Sequence, residues 1–279
     1  MAIKFSKYHG CGNDFICVDA RQTPLDFVNF ATHYCQRGFS VGGDGALFLL
    51  DSKVADFKMM VVNADGSEPE MCGNGLRCFV AYLYHQKLTT KLTLTIETGA
   101  GILNCQILDP NYPSCQILIE MGQAKLQSTL PTQDFGMNVN LLSHDLVVDG
   151  TPLSLIPIGM GNPHAVIFVS DVDAFDLARF GPVIEQHPWF PNRVNVEFIQ
   201  RVSENELKMR VWERGVGETN ACGTGACAAV VAGVLSGQNL ADATVQLKGG
   251  QLAINYNQET HEVFMTGPAE FVYQSNLMD

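Results

Sequence analysis

The chain repeats one short pattern, and this repeat limits what it can fold into. A cysteine is followed by Gly-x-Gly and then by an apolar run at Cys72, and the same pattern recurs 150 residues later at Cys222. The run after Cys222, ACAAVVAGVL, is apolar on every side, which is typical of a fully buried helix, and it is too short to span a bilayer. We therefore predict two related domains, in each of which strands surround one buried helix.

The entry to each helix predicts an anion-binding site. Glycines next to the cysteine leave backbone N–H groups unpaired at the positive end of the helix, where a carboxylate binds well. The same position favours a thiolate, so we expect a lowered pKa for Cys222. Taken alone, Cys222 is as well explained as a small buried core residue. The second copy of the pattern at Cys72 favours the reactive thiol.

The repeat extends well upstream of the cysteines. Asn13 precedes Cys72 by 59 residues and Asn162 precedes Cys222 by 60, and each asparagine follows a glycine. We expect each domain to present a helix N-terminus, a cysteine and an asparagine to a shared cleft. Two thiols on opposite sides of one bound molecule indicate a reaction that takes a proton from one face of a carbon and returns one to the other.

Composition excludes several classes of function. A net charge of −12 and a pI near 4.9 argue against nucleic acid and anionic membranes as partners. The nine cysteines form no Cys-x-x-Cys, so a zinc site or a thioredoxin-like redox pair has little support. The start MAIKFSKYHG is unlike a signal peptide, and the odd cysteine count suits reduced thiols in a cytoplasm.

Six segments of the chain, in order, resemble the motifs of the diaminopimelate epimerase family of cofactor-independent amino-acid epimerases. They are HGCGNDF, NADGSEPEMCGNGLRC, GNPHAV, RVNVEF, WERGVGETNACGTGACAA and TGPAEF. The resemblance covers nearly the whole chain and implies an α/β (α+β) fold of two similar domains related by a pseudo-two-fold axis. Each domain would be a β-barrel-like mixed sheet wrapped around a central hydrophobic helix. We place the domains at 1–122 and 123–265, with the last strand, 266–279, returning to the first domain.

The reaction that this resemblance implies is the interconversion of LL- and meso-diaminopimelate, in lysine and peptidoglycan-precursor biosynthesis, with no cofactor and no metal. Cys72 and Cys222 would be the paired base and acid, and His164 and Glu213 would tune their pKa values. The implied substrate-binding residues are Asn13, Asn63, Gly73, Asn74, Asn162, Asn195, Glu213, Arg214, Gly223 and Thr224. The expected partner is a small amino-acid substrate, with no nucleic acid and no membrane, and the sequence leaves a homodimer open.

Ordinary structural roles compete with some of these assignments. Asn13 and Asn63 lie in turn-forming sequences, where the asparagine side chain supports the turn, and His164 could be a hydrogen-bonded core histidine. Many family members carry glutamine where this chain has Gly45, so the grip on the distal end of the substrate is open to question. Two other functions remain alternatives: a related two-cysteine racemase acting on proline or hydroxyproline, and a non-catalytic thiol-based redox or binding protein.

Overall fold

A computed structural model describes residues 3–69, 71–125 and 143–277. The chain divides into two compact units, one made of Met1–Glu120 with Thr266–Asp279 and the other of Met121–Met265. The predicted boundary at 122/123 lies just before 126–142, which are outside the described residues.

The helices of the described residues are α1 (Phe27–Tyr34), α2 (Gly73–His85), α3 (Leu177–Glu185) and α4 (Gly223–Leu235). The strands of the first half are β1 (Ile3–Gly10), β2 (Asn13–Asp19), β3 (Gly45–Leu50), β4 (Phe57–Asn63), β5 (Thr93–Thr98), β6 (Gly101–Asp109) and β7 (Ser114–Gln123). Those of the second half are β8 (His144–Val148), β9 (Thr151–Gly159), β10 (Pro163–Phe168), β11 (Asn195–Ser203), β12 (Glu206–Glu213), β13 (Gly217–Thr219), β14 (Asp242–Leu247), β15 (Gly250–Tyr256) and β16 (Glu262–Leu277).

The first unit is a closed barrel of eight strands. Its strands are hydrogen-bonded in the order β1 to β7, and β16 pairs with both β7 and β1 to complete the circle. The β2–β3 and β4–β5 pairs are parallel and the other assigned pairs are antiparallel, so the sheet is mixed. Because the circle closes on itself, the barrel leaves no open sheet edge.

Helix α2 forms the centre of this barrel. Every residue from Gly73 to Leu83 is buried, and the helix packs against β1, β2, β4 and β6. Gly75 in its first turn makes this packing close, because a Cβ there would lie 3.2 Å from the Leu47 side chain and 3.4 Å from Phe15. The apolar residues of α2 therefore face strands on all sides, as expected for a helix without a solvent face.

The second unit repeats this arrangement. Its strands run β8, β9, β10, β11, β12, β14, β15 and the start of β16, and the parallel pairs β10–β11 and β12–β14 correspond to β2–β3 and β4–β5. Helix α4, like α2 thirteen residues long, packs against β9 to β12, β14 and β15. The prediction of two similar units, each a mixed sheet around a hydrophobic helix, is confirmed.

The two central helices also end alike. Gly237, just past α4, adopts a left-handed φ of 70°, which is the usual glycine end of a helix. The equivalent position after α2 is Lys87, with a φ of 58°. Within the described residues, no helix is long and apolar enough to cross a membrane.

Candidate active site

Cys72 is the N-cap of α2. Its backbone is extended, with φ −134° and ψ 111°, and its Sγ accepts the N–H of Gly75 at 3.4 Å. The side chain is half-buried. An N–H group at the positive end of a helix stabilises negative charge, so this contact favours the thiolate form of Cys72.

Two asparagines hold the surroundings of Cys72. Asn13 follows a left-handed turn at Cys11 and Gly12, and its Oδ1 accepts from Cys72 Sγ at 3.7 Å and from the Asn74 amide at 3.3 Å. The orientation of both amides is determined by charged neighbours. Asp44 accepts from the Asn13 amide nitrogen at 2.7 Å. Arg77 donates to the amide oxygen of Asn74, Oδ1, at 2.9 Å.

Asn63 serves the turn in which it lies. At the end of β4, its amide donates to the Ser67 hydroxyl at 2.9 Å and its backbone N–H donates to the Ser67 carbonyl at 2.9 Å. This is the turn role weighed against substrate binding for Asn63. Asn63 is also the direct partner of Gly45 across the β3–β4 pair, so it adjoins the loop that carries Asp44.

Cys222 occupies the matching position in the second unit, as the N-cap of α4. Its backbone is again extended, with φ −122° and ψ 110°, but the side chain is buried, with 6% exposed. Its Sγ lies 3.5 Å from the hydroxyl of Thr224. The two cysteines thus have the same backbone position and different surroundings.

A line of hydrogen bonds leads from Thr224 into the core of the second unit. The amide of Asn162 donates to Thr224 Oγ1 at 3.3 Å, and Asn162 Oδ1 lies 2.9 Å from His164 Nε2. His164 Nδ1 in turn lies 2.7 Å from a carboxylate oxygen of Glu197, and both side chains are fully buried. His164 is therefore a buried, hydrogen-bonded histidine, and the same hydrogen bonds connect it to Cys222; its effect on the pKa of the thiol stays a prediction.

Glu213 and Arg214 lie where β12 ends and the turn to β13 begins, and Asn195 is the first residue of β11. Glu213 accepts from the Thr219 hydroxyl, and its carboxylate is close enough to Cys222 to influence that thiol. Buried Asn195 accepts the backbone N–H of Arg214 at 2.9 Å and donates to the Pro163 carbonyl at 3.1 Å. The Arg214 side chain is exposed, and its guanidinium donates to the Asn192 carbonyl at 3.2 Å. Asn195 thus positions the backbone from which Arg214 extends.

The acid–base character of Cys222 is the opposite of our expectation. Burial raises the pKa of the Cys222 thiol well above its ordinary value, and the nearby carboxylates of Glu213 and Glu197 raise it further. Burial also raises the pKa of Glu213. The predicted lowering at the helix end is wrong for Cys222, because loss of solvent and repulsion by two carboxylates outweigh the helix end.

Each site can bind a carboxylate. An α-helix does not use its first N–H groups internally, so Gly73 and Asn74 in one unit and Gly223 and Thr224 in the other present donors to an anion. Among the described residues, no group of three or more histidine, cysteine, aspartate or glutamate side chains is placed to hold a metal ion.

Sequence reasoning missed three charged residues that shape these sites: Asp44, Arg77 and Glu197. The latter two are fully buried, at 0% exposure. A signal for both was available, because each is a charged residue inside an otherwise apolar helix or strand, and such residues are rarely buried without a partner. The partners themselves come from distant parts of the chain and could not be identified from the sequence.

Comparison with solved structures supports the fold. A phenazine biosynthesis protein of the PhzF family from Bacillus anthracis aligns with a TM-score of 0.72 at 19% identity, over 100% of both chains. A hydroxyproline epimerase from Agrobacterium vitis, solved with bound trans-4-hydroxy-L-proline, aligns with a TM-score of 0.71 at 14% identity, over 99% of this chain and 91% of that one. At these identities the likeness concerns the fold alone.

Comparison of sequences identifies the family. The family model described as diaminopimelate epimerase matches residues 5–127 and 156–272. A diaminopimelate epimerase of Pelotomaculum thermopropionicum is 46% identical over 273 residues, which is 96% of each chain. One from Desulfitobacterium hafniense is 45% identical over 278 residues, which is 98% of this chain and 97% of that protein. With these matches and a cysteine-capped helix in each unit, the chain belongs to the diaminopimelate epimerase family.

Proposed function

We propose that the protein is an isomerase that interconverts LL- and meso-diaminopimelate by proton transfer at the α-carbon, without a cofactor. The observation that carries this proposal is the repeated site. In each unit, a cysteine with an extended backbone caps a buried helix. An asparagine, Asn13 or Asn162, forms a hydrogen bond with a residue in the first turn of that helix. Membership of a family whose members bear this name supports the choice of substrate.

The reaction divides into two proton transfers. A thiolate takes the α-proton, so a C–H bond breaks, an S–H bond forms, and the electron pair moves into the substrate's α-carboxylate. The thiol of the other cysteine then delivers its proton to the opposite face of the carbon and becomes a thiolate. Helix N–H groups, such as those at Gly73 and Gly223, stabilise the charge that builds up on the carboxylate between the two steps.

The environments of the two cysteines indicate which of them starts as the acid and which starts as the base. Cys222 has a raised pKa and is therefore a thiol near neutral pH, which suits it to deliver a proton. Cys72 accepts a helix N–H and is more exposed, which suits it to take one. In the reverse direction the two roles exchange, so Cys222 must also function as a thiolate.

The remaining predicted residues would recognise the substrate. We infer that Arg214 binds a carboxylate of diaminopimelate with its guanidinium, which forms paired hydrogen bonds to such groups. Asn195 supports this role by fixing the Arg214 backbone. Glu213, next to Cys222, would accept hydrogen bonds from the substrate ammonium group.

The proposal also includes a biological setting. The reaction would belong to lysine and peptidoglycan-precursor biosynthesis, in the cytoplasm. All nine cysteines are free of disulfide bonds, which supports a reducing compartment.

The experiment is turnover of LL-diaminopimelate in D₂O with no added cofactor, followed by mass spectrometry. Early product should carry deuterium at the inverted carbon while unreacted substrate remains largely protiated, because the delivered proton comes from a thiol that exchanges with solvent. Cys72→Ala and Cys222→Ala should each abolish epimerisation, since both groups act in each direction.

Controls separate this proposal from its alternatives. Proline and 4-hydroxyproline should not be racemised, and circular dichroism should show that the cysteine variants are folded. Product that retains its original proton, or turnover by a folded protein lacking one cysteine, would exclude the two-thiol mechanism. Racemisation of proline in preference to diaminopimelate would instead identify the related racemase.

A further inference from the structure

Glu185, the last residue of α3, is a buried carboxylate to which neither the family resemblance nor the proposed reaction assigns a role. Its two oxygens accept hydrogen bonds from three other residues. Oε1 accepts the backbone N–H of Gly215 at 2.8 Å and a guanidinium N–H of Arg193 at 3.4 Å. Oε2 accepts the indole N–H of Trp212 at 2.8 Å. Because a carboxylate only accepts and all three partners only donate here, the arrangement is consistent in every contact.

The bond from Gly215 acts on the turn that carries Arg214. Residues 213–216 form this turn, and the N–H of Val216 closes it by donating to the Glu213 carbonyl at 3.1 Å. Gly215 has a left-handed φ of 77°, which suits a glycine at the third position of a turn. Such a turn does not use the N–H groups of its second and third residues, which are Arg214 and Gly215.

Asn195 and Glu185 accept those two N–H groups. Asn195 Oδ1 binds the N–H of Arg214 at 2.9 Å, and Glu185 Oε1 binds the N–H of Gly215 at 2.8 Å. The two N–H groups belong to the two rigid peptide planes on either side of the Arg214 Cα. Holding both planes fixes the direction in which the Arg214 side chain leaves the backbone, whereas Asn195 alone would hold only one of them.

The same glutamate also holds the loop against which the Arg214 guanidinium lies. That guanidinium donates to the Asn192 carbonyl at 3.2 Å. The Glu185 carboxylate binds the next residue, Arg193, and the Glu185 backbone carbonyl accepts the N–H of Val194 at 3.2 Å. Both ends of Arg214, the backbone and the guanidinium, are thus supported by segments that Glu185 binds.

We propose that Glu185 is a positioning residue for Arg214: it holds the turn at 213–216 and the loop at 192–194 so that the guanidinium is in place to bind a substrate carboxylate. This rests on the proposed function, in which helix N–H groups bind the reacting carboxylate and Arg214 is left for the other carboxylate of diaminopimelate. That contact is made before and during proton transfer alike, so its loss should raise KM and change kcat little.

Two other roles for Glu185 predict different results. As a negative charge alone, Glu185 would weaken the attraction between Arg214 and a carboxylate, so its removal would lower KM. As a support for the fold alone, its replacement would lower stability, and KM would change no more than in any variant of equal stability. A positioning role predicts a higher KM that depends on the presence of Arg214.

The test is the kcat and KM of LL-diaminopimelate turnover by variants of the full chain. Glu185→Met, which keeps the length and removes both acceptors, should raise KM roughly tenfold, because displacing a positioning group by about 1 Å costs up to about 100-fold. Glu185→Gln keeps one acceptor oxygen, which should face Gly215 and Arg193 because two donors meet there. Its KM should therefore stay within about threefold of wild type.

Ile184→Ala is the matched control. Ile184 precedes Glu185 in α3 and is fully buried in the core of the second unit, so the truncation lowers stability without removing a hydrogen bond of the turn. Urea denaturation compares its stability with that of Glu185→Met. Its KM should stay within about twofold of wild type, as expected for sites that do not interact.

A double variant shows whether Glu185 acts through Arg214. The kcat/KM of Glu185→Met with Arg214→Ala should lie within about twofold of that of Arg214→Ala alone, since no guanidinium remains to be positioned. If Arg214→Ala has no measurable turnover, the Kd of diaminopimelate, measured by calorimetry, replaces kcat/KM in this comparison.

Hydrogen exchange followed by mass spectrometry measures the hold on the turn without turnover. The N–H of Gly215 should exchange roughly tenfold faster in Glu185→Met than in wild type, because its charged acceptor is gone. In Ile184→Ala the same N–H should exchange more slowly than in Glu185→Met.

A lowered or unchanged KM in Glu185→Met, an equal rise in Ile184→Ala, or losses that multiply in the double variant would overturn the proposal. If Glu185→Met does not fold, Glu185→Asp replaces it. Its charge remains and its oxygens are withdrawn by one methylene, so KM should still rise by at least about threefold. A wild-type protein inactive on diaminopimelate would contradict the proposed function, whereas equal exchange of Gly215 in Glu185→Met and Ile184→Ala would by itself refute the role of Glu185.

Discussion

The Asn13 amide oxygen accepts a hydrogen bond from the Cys72 thiol at 3.7 Å. The Asn13 amide nitrogen donates to Asp44 at 2.7 Å, so an uncharged side chain separates the sulfur from a carboxylate. We expect Asn13→Asp to slow alkylation of Cys72 roughly tenfold at neutral pH, because a carboxylate in this place repels the thiolate. Asn111→Asp, which adds the same charge in an exposed loop, is the control and should have no effect. An equal rate in Asn13→Asp would show that Asn13 does not act on Cys72.

The two cysteines should differ in reactivity in the wild-type protein. Iodoacetamide should modify Cys72 before Cys222, because Cys222 is more buried and its pKa is raised by burial and by two carboxylates. Each unit of raised pKa lowers the thiolate fraction roughly tenfold at a pH below it. Cys222 should therefore become reactive only as the pH rises toward its raised pKa. Peptide mapping at several pH values measures both rates, and earlier labelling of Cys222 would contradict the assigned starting roles.

Gly45 should be intolerant of a side chain. A Cβ at this position would lie 2.7 Å from the carbonyl oxygen of Val62 on β4, which is too close without movement of the strand. We expect Gly45→Ala to lower the free energy of unfolding by about 2 kcal/mol, measured by urea denaturation followed by circular dichroism. Gly150→Ala is the comparison, since open space surrounds it and only its left-handed backbone adds a cost of roughly 1 kcal/mol. Equal losses would show that the strands adjust freely at Gly45.

Asp14 should make stability depend on pH. Burial alone would raise its pKa, but hydrogen bonds from Lys7 and Arg37 outweigh burial and lower it. Lys7 is itself buried and lies 2.7 Å from the Asp14 carboxylate, so Asp14→Asn leaves a buried cation without its partner. At pH 7 we expect a loss of about 3 kcal/mol in the free energy of unfolding.

The sign of the pH effect follows from the lowered pKa. The folded state holds its Asp14 proton more weakly than the unfolded state, so the stabilisation is complete above the ordinary aspartate pKa. It disappears as the pH falls through the lower folded value. The difference between wild type and Asp14→Asn should thus shrink in acid. Asp149→Asn, in an exposed pair with Arg179, should cost less than about 1 kcal/mol, and a pH-independent difference for Asp14 would refute this account.

The sequence predicted the parts of the site that local pattern determines. The cysteine caps of α2 and α4 follow from glycines next to an apolar run, and Asn13 and Asn162 follow from the repeat. The partners of those residues depend on strand register. Glu197 reaches His164 only because β10 and β11 are parallel neighbours, with His164 opposite Asn195. The raised pKa of Cys222 depends on burial and on two carboxylates; the family resemblance pointed to Glu213, whereas nothing in the sequence pointed to Glu197.

The first barrel cannot close during translation until β16, the strand that completes it, has been made. Ile3 on β1 pairs with Leu277 on β16, so the first strand made waits for the last. At about 5–20 residues per second, that wait is roughly 14 to 55 seconds, and β1 lacks its partner β16 throughout it. Unpaired edges invite pairing with other chains, so nascent copies on one messenger RNA can pair wrongly with one another until β16 has been made. The interval before β16 is made is therefore when nascent copies of this protein are most exposed to wrong strand pairing.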